Sequence, residues 1–155
     1  MKPYSSFLLC LLFSLLLLSS CYKVEVERND LPQGYSVAQL VGLWKVTGIS
    51  SDKANDWDGN GTSETNIYST WPDCLKDNLF QFNSNYTGTY KLSCSDTKTG
   101  TWQLDGTVTL VWAPSGSATT YEKIIYLTSD TFKTETNITL PNSETYKITK
   151  VWSLQ

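Results

Sequence analysis

The residues with the most chemical potential sit together in one stretch, Asn55-Asp56-Trp57-Asp58-Gly59-Asn60-Gly61-Thr62-Ser63-Glu64. Asp56, Asp58 and Asn60 alternate, Gly61 follows where a tight loop must turn, and Glu64 comes at the ninth place counted from Asp56. Alternate residues of such a turn aim hard oxygens at one point, which is the chemistry Ca²⁺ favours. Ile67 stands at the twelfth place, where calcium loops of this spacing put a bidentate carboxylate. A bound Ca²⁺ and a solvated, glycine-hinged loop are therefore both open as readings. Trp57, inside this stretch, and Trp71, just beyond it, carry two readings as well. Such tryptophans contact a ligand or a sugar face, or they plug the structure beneath them.

The chemistry the chain lacks is as informative. It contains no histidine, which removes the commonest general base and the commonest transition-metal ligand. No GxSxG is present, and the sequence offers no way to single out a pair of carboxylates for acid–base work. The expectation is a protein that is not an enzyme. With 12 basic and 15 acidic residues the formal charge is −3, which argues against binding nucleic acid by neutralising phosphates.

Elements able to position these residues are legible as strands. Strand-like segments recur at Leu43–Ile49, Asn78–Asn83, Thr87–Ser93, Gly100–Leu104, Thr107–Trp112, Thr120–Leu127, Thr131–Ile138 and Glu144–Trp152, eight in all. Turn residues separate them: Asn83-Ser84-Asn85, then Asp105-Gly106 as a two-residue hairpin signal, the run 113–118 (APSGSA) and Pro141-Asn142-Ser143. Ser36 can cap a turn of helix ending near Leu40. Apolar residues alternate within the strands, so Phe80, Phe82, Tyr90, Trp102, Leu110, Tyr126 and Ile148 are expected to point inward, with a subset lining any cavity. Sequential strands with short connections predict an all-β fold, an eight-stranded antiparallel up-and-down barrel with a short N-terminal helix; a two-sheet sandwich is the competing architecture. The connection from Ser50 to Asp77 is long for a compact domain, and such loops often carry function.

The N-terminus sets the compartment. Lys2 precedes an apolar run from Phe7 to Leu18, shorter than a membrane-spanning helix needs. Leu18-Ser19-Ser20-Cys21 resembles the lipobox of bacterial lipoproteins. That resemblance implies lipid on the Cys21 thiol and cleavage before it, giving a signal peptide at 1–20, a lipid-anchored tether at 21–35 and a folded domain at 36–155. Cys10 leaves with the signal. Lys23, Glu25 and Glu27 resemble the charged signal that sends Bacteroidota lipoproteins to the cell surface, with a plain solvated linker as the alternative. The expected location is the outer membrane, lipid-anchored, on its periplasmic or its external side. In an oxidising envelope the remaining pair, Cys74 and Cys94, predicts a disulfide. Their midpoint is residue 84, the tip of the hairpin at 78–93, so the two lie opposite each other at its open end.

Gly42-Leu43-Trp44, after a short helix and opening the first strand, resembles the GxW signature of lipocalins. The ordered set LVGLWKVTGIS, LFQFNSNYTGTYKLS, GTWQLDGTVTLVW and IIYLTSDTFKTET resembles the lipocalin-like domain lipoproteins of Bacteroidota over about residues 39–152. The resemblance implies a barrel that binds a small, largely apolar ligand at its mouth. The alternative is an accessory module with a solid core, which binds an envelope protein or a glycan through its loops. Lipocalins pack the GxW tryptophan against an arginine from the end of the barrel. The only arginine here is Arg28, in the tether, so Lys150 or Lys147 is expected to take that place on Trp44.

Overall fold

The computed structural model describes residues 34–91, 94 and 96–155; Cys21, the signal segment and most of the tether lie outside them. The strands are β1 (Gly42–Ser51), β2 (Leu79–Phe82), β3 (Thr87–Lys91), β4 (Lys98–Asp105), β5 (Thr109–Pro114), β6 (Thr120–Leu127), β7 (Thr131–Thr139) and β8 (Thr145–Leu154). Each pairs antiparallel with its neighbours in sequence, and β8 returns to pair with β1, so the sheet is a closed up-and-down barrel. The sandwich reading is thereby excluded. Closure satisfies the hydrogen-bonding edges that an open sheet would expose. It also divides the side chains of every strand between core and solvent, as the alternation in the sequence requires. Two irregularities interrupt that alternation, one in β1 between Val46 and Gly48 and one in β6 between Ile124 and Tyr126.

One end of the barrel is closed by the chain's own entry. Tyr35 donates its backbone N–H to Thr107 O at 2.9 Å, and helix α1 (Val37–Leu40) lies across this end. Gln39 reaches back to the Ser36 N–H at 2.9 Å, half of the reciprocal cap that starts so short a helix. Leu40 is fully buried, and its carbonyl accepts the Trp44 indole N–H at 2.9 Å. Trp44 then meets Phe132 edge to face, 4.7 Å between centroids, and Phe132 stacks on Trp152 at 5.1 Å. The floor is thus solid aromatic packing. Gly88 belongs to the same logic: a Cβ there would come within 2.9 Å of the Trp112 ring and 2.7 Å of Gln81 O, so only glycine lets that indole lie against the strand.

At the other end runs the long connection from β1 to β2. It is more structured than the sequence suggested, holding two one-turn helices, α2 (Ile67–Thr70) and α3 (Asp73–Lys76). Their signals were local: Asn66 Oδ1 accepts the Ser69 N–H at 3.2 Å, and Pro72 precedes a turn that opens on Asp73 and ends on Lys76. Cys74 in α3 is disulfide-bonded to Cys94, their Cα atoms 5.3 Å apart, so the predicted pair forms and fastens this connection to the one between β3 and β4. The Asp105-Gly106 hairpin turns one residue later than expected. Asp105 remains in β4 opposite Thr109, and both Gly106 and Thr107 take positive φ, 57° and 69°. The 83–85 turn likewise extends to Tyr86, whose φ is 65°.

The disulfide closes a separation of 20 residues, worth about 3 kcal/mol in the chain-entropy view. Denaturant unfolding of Cys74→Ala/Cys94→Ala should show about that loss, with the far-ultraviolet signature of the barrel intact in the absence of denaturant.

Candidate functional site

Halfway along the barrel the interior changes from rings to ions. On β8, Tyr146, Ile148, Lys150 and Trp152 follow one another along the inner face. Lys150 is directly opposite Thr134 of β7, which is fully buried. Glu122 enters from β6, itself 7% exposed. These groups form a continuous chain of hydrogen bonds. The Trp152 indole N–H donates to Thr134 Oγ1 at 3.1 Å, and the Thr134 hydroxyl donates to Glu122 Oε2 at 2.5 Å. Lys150 Nζ donates to Glu122 Oε1 at 2.5 Å. A carboxylate taken from water needs such partners, because desolvation otherwise outweighs the Coulomb gain. Here both oxygens are satisfied, one by a charge and one by a hydroxyl.

Rings complete the wall. Phe80 and Tyr90, paired across β2 and β3, stack at 3.9 Å, and Phe80 meets Trp152 edge to face at 4.7 Å. Burial pushes the Tyr90 phenol up to about 12, helped by the negative charge of Glu122. Lys150 keeps 27% of its side chain exposed although it faces inward, and Phe80 and Tyr90 are likewise only half-buried. At this level an inward-facing polar and aromatic wall, between the aromatic floor and the long connection, therefore keeps surface that solvent reaches. Asn78, two residues before Phe80, is 1% exposed, and its Oδ1 has no hydrogen-bond partner among the described residues.

The long connection packs over the top of β8. Lys147 N–H donates to Asp52 Oδ1 at 2.9 Å and Lys53 Nζ to Thr145 O at 3.0 Å. Trp57 meets Tyr146 edge to face at 5.1 Å and donates its indole N–H to Glu64 O at 3.0 Å. The Tyr146 hydroxyl donates to Glu144 at 2.5 Å, which lowers the pKa of that carboxyl and raises that of the phenol. Trp71 tilts against Tyr68 at 6.0 Å. Both tryptophans are part-buried and packed against the core.

Asp56, Asp58 and Asn60 do come together, but as a self-capped turn. Asp56 accepts the backbone N–H groups of Asn60 and Gly61, each at 2.9 Å, and Asp58 accepts that of Asn60 at 3.1 Å. Glu64 turns away and accepts the Trp57 N–H at 3.1 Å. A cation here would have to displace these donors. Among the described residues, no three His, Cys, Asp or Glu side chains are gathered as a metal site.

Of the residues expected to point inward, Phe82, Trp102, Leu110 and Ile148 are buried and Phe80 and Tyr90 line the half-open level. Tyr126 is a correction. The β6 irregularity after Ile124 shifts the alternation by one, so Tyr126 lies outside, 48% exposed, with Lys133 Nζ 5.6 Å over its ring. A second correction concerns Trp44. Lys150 pairs with Glu122 and stands 5.9 Å over Trp152, and Lys147 is exposed, so the partner of Trp44 is the Phe132 ring. Sequence reasoning missed Glu122, Thr134 and the pairing of Lys150; the available signal was a charge at an inward position of two otherwise apolar faces.

A profile of the lipocalin-like domain family matches residues 40–134, and the chain belongs to that family. No curated protein matches the sequence. Among solved structures, a bovine odorant-binding protein in complex with a selenium-containing odorant is similar over 77% of this chain and 73% of its own, at 14% identity and a TM-score of 0.42. The bovine lipocalin allergen Bos d 2 is similar over 76% and 74%, at 13% identity and a TM-score of 0.43.

Lys150→Met should leave Glu122 as an uncompensated buried charge and cost about 3 kcal/mol in chemical unfolding. Glu122→Gln/Lys150→Met should recover most of that loss, since the amide still accepts the Thr134 hydroxyl. Tyr90 supplies a pH test. Its folded pKa lies above the ordinary tyrosine value of about 10, so its contribution is present below that pH and is lost as pH rises towards about 12. Stability measured across this alkaline window should fall less steeply in Tyr90→Phe than in the parent protein.

Proposed function

We propose that this protein is a lipid-anchored carrier of the bacterial cell envelope that holds a small, largely apolar molecule inside the barrel, beneath the connection between β1 and β2. The observation that carries the reading is the partial exposure of Lys150 on the inner face, with Phe80 and Tyr90 half-open around it. Exposed surface on an inward lysine is a point where the interior meets solvent. Family membership supports the same reading, since the lipocalin-like fold encloses a space that side chains alone need not fill. The wall is mainly aromatic with a few placed polar groups, the usual make-up of a small-molecule site.

The reading also takes the protein to be a binding module and not an enzyme. Glu122 is fully engaged by Thr134 and Lys150, and no histidine exists to serve as base. The lipid anchor rests on Leu18-Ser19-Ser20-Cys21. Two or three acyl chains hold a protein at a bilayer durably at roughly 0.8 kcal/mol per buried methylene. Among the described residues no helix is long and apolar enough to cross a membrane.

Native mass spectrometry on protein extracted gently from its own envelope tests both parts. Added mass that is non-covalent and lost on denaturation is the expected result, together with covalent acyl mass that disappears in Cys21→Ala. A protein whose mass shows no non-covalent addition, and which also takes up none of a panel of small aromatic probes, would sink the carrier reading.

A further inference from the structure

The chemistry of the inner wall goes further than an apolar ligand and indicates which polar group that ligand carries; the inference rests on the carrier reading above. An ammonium has three N–H donors. Lys150 commits one to Glu122 Oε1, and no other acceptor engages Nζ among the described residues. The Tyr90 hydroxyl likewise makes no side-chain hydrogen bond among the described residues, although its ring is fixed by the Phe80 stack. Thr134 and the Trp152 indole are both satisfied within their own chain of bonds. The half-open level therefore offers two donors without acceptors among the described residues, Lys150 Nζ and the Tyr90 hydroxyl, beside the half-buried Phe80 ring, while the unpaired Asn78 Oδ1 is closed from solvent at 1% exposure.

Charge decides what those donors receive. Lys150 is already neutralised by Glu122 at 2.5 Å. A ligand carboxylate reaching Lys150 would bring a second negative charge beside Glu122 in a partly desolvated site, and a ligand ammonium would meet the like charge of Lys150. An uncharged oxygen acceptor takes the free N–H and O–H groups and adds no charge. A tyrosine phenol is protonated, hence a donor, throughout the neutral range, and the raised pKa of Tyr90 extends this to higher pH.

We propose that the barrel selects a neutral, flat apolar molecule bearing a carbonyl-type oxygen, with Lys150 Nζ and the Tyr90 hydroxyl donating to that oxygen and the half-buried Phe80 ring against the apolar body. The oxygen enters an existing ion pair without breaking it, so recognition is by hydrogen bonding and not by charge.

Equilibrium dialysis of the full chain at neutral pH, with a protein-free blank of the same detergent, tests this with four probes that share one ring system: naphthalene, 2-acetylnaphthalene, 2-naphthoate and 2-naphthylmethylammonium. The ketone should bind about tenfold or more tightly than naphthalene, as expected for hydrogen bonds from a charged donor, and both ions should bind more weakly than the ketone. In Glu122→Gln/Lys150→Met the ketone should fall to the level of naphthalene while naphthalene binding persists, which also reports that the variant is folded. Tyr90→Phe should remove part of the ketone's advantage. Equal binding of ketone and naphthalene, or tightest binding of either ion, overturns the selection. Failure of all four probes to bind the parent protein overturns the carrier reading itself.

Discussion

The pairing of β8 with both β7 and β1 is the constraint on which the rest of the structure depends. A strand hydrogen-bonded on both sides has no freedom to slip by one residue, because a slip would exchange its inner and outer faces. Tyr146, Ile148, Lys150 and Trp152 are thereby fixed along the interior. Three of these are apolar or nearly so and pack. The fourth is a lysine, and its forced position inside the barrel creates the need for Glu122. From Glu122 the requirement passes to Thr134 and on to the Trp152 indole. The polar network is thus the consequence of one charged residue on a face that closure will not release.

The same network separates the interior into two parts. Below it, Leu40, Trp44, Phe132 and Ile124 are almost wholly buried, and the floor has dispersion contacts on all sides. Above it, Ile67, Trp57 and Tyr146 close over the top of β8. The level between carries ions and partly exposed rings. Packing such a level with aliphatic side chains would satisfy the core better, and the chain does not do so. A half-open polar shelf between two well-packed layers is kept at a cost in stability.

Much of the fold was legible because the alternation of apolar residues in β2, β4 and β8 states directly which side faces in. Trp102 and Leu104 announce β4 as clearly as Tyr146, Ile148 and Trp152 announce β8. Legibility failed where that alternation is broken. Tyr126 has the residue type of an inward position, but the shift after Ile124 is invisible in sequence, since the extra residue has no composition of its own. The turn at Gly106-Thr107 was displaced for a related reason: Asp105 could end the strand or enter the turn, and only pairing to Thr109 decides. The site was least legible of all. Glu122 and Lys150 are 28 residues apart on strands that are not neighbours, and no local pattern joins them. The aspartates at 56 and 58, by contrast, were conspicuous in sequence because turn capping and cation binding draw on the same residues at the same spacing.

Closure by the eighth strand also orders events in time. The Cys74–Cys94 bond and the β2–β3 hairpin join residues near each other in the chain, so little loop entropy opposes them. The β1–β8 ladder joins Trp44 to Leu154 and Gly48 to Val151, the longest sequence separations in the sheet. By the dependence of folding rate on contact order it is the slowest pairing to nucleate. As the chain emerges from amino to carboxyl end, seven strands must wait with one edge of β1 and one of β7 unpaired. Lys150 arrives only with the eighth strand, so until then Glu122 remains hydrated and the interior wet. A nascent barrel is consequently a bowl with a seam, vulnerable along that seam to foreign strands until the seam shuts.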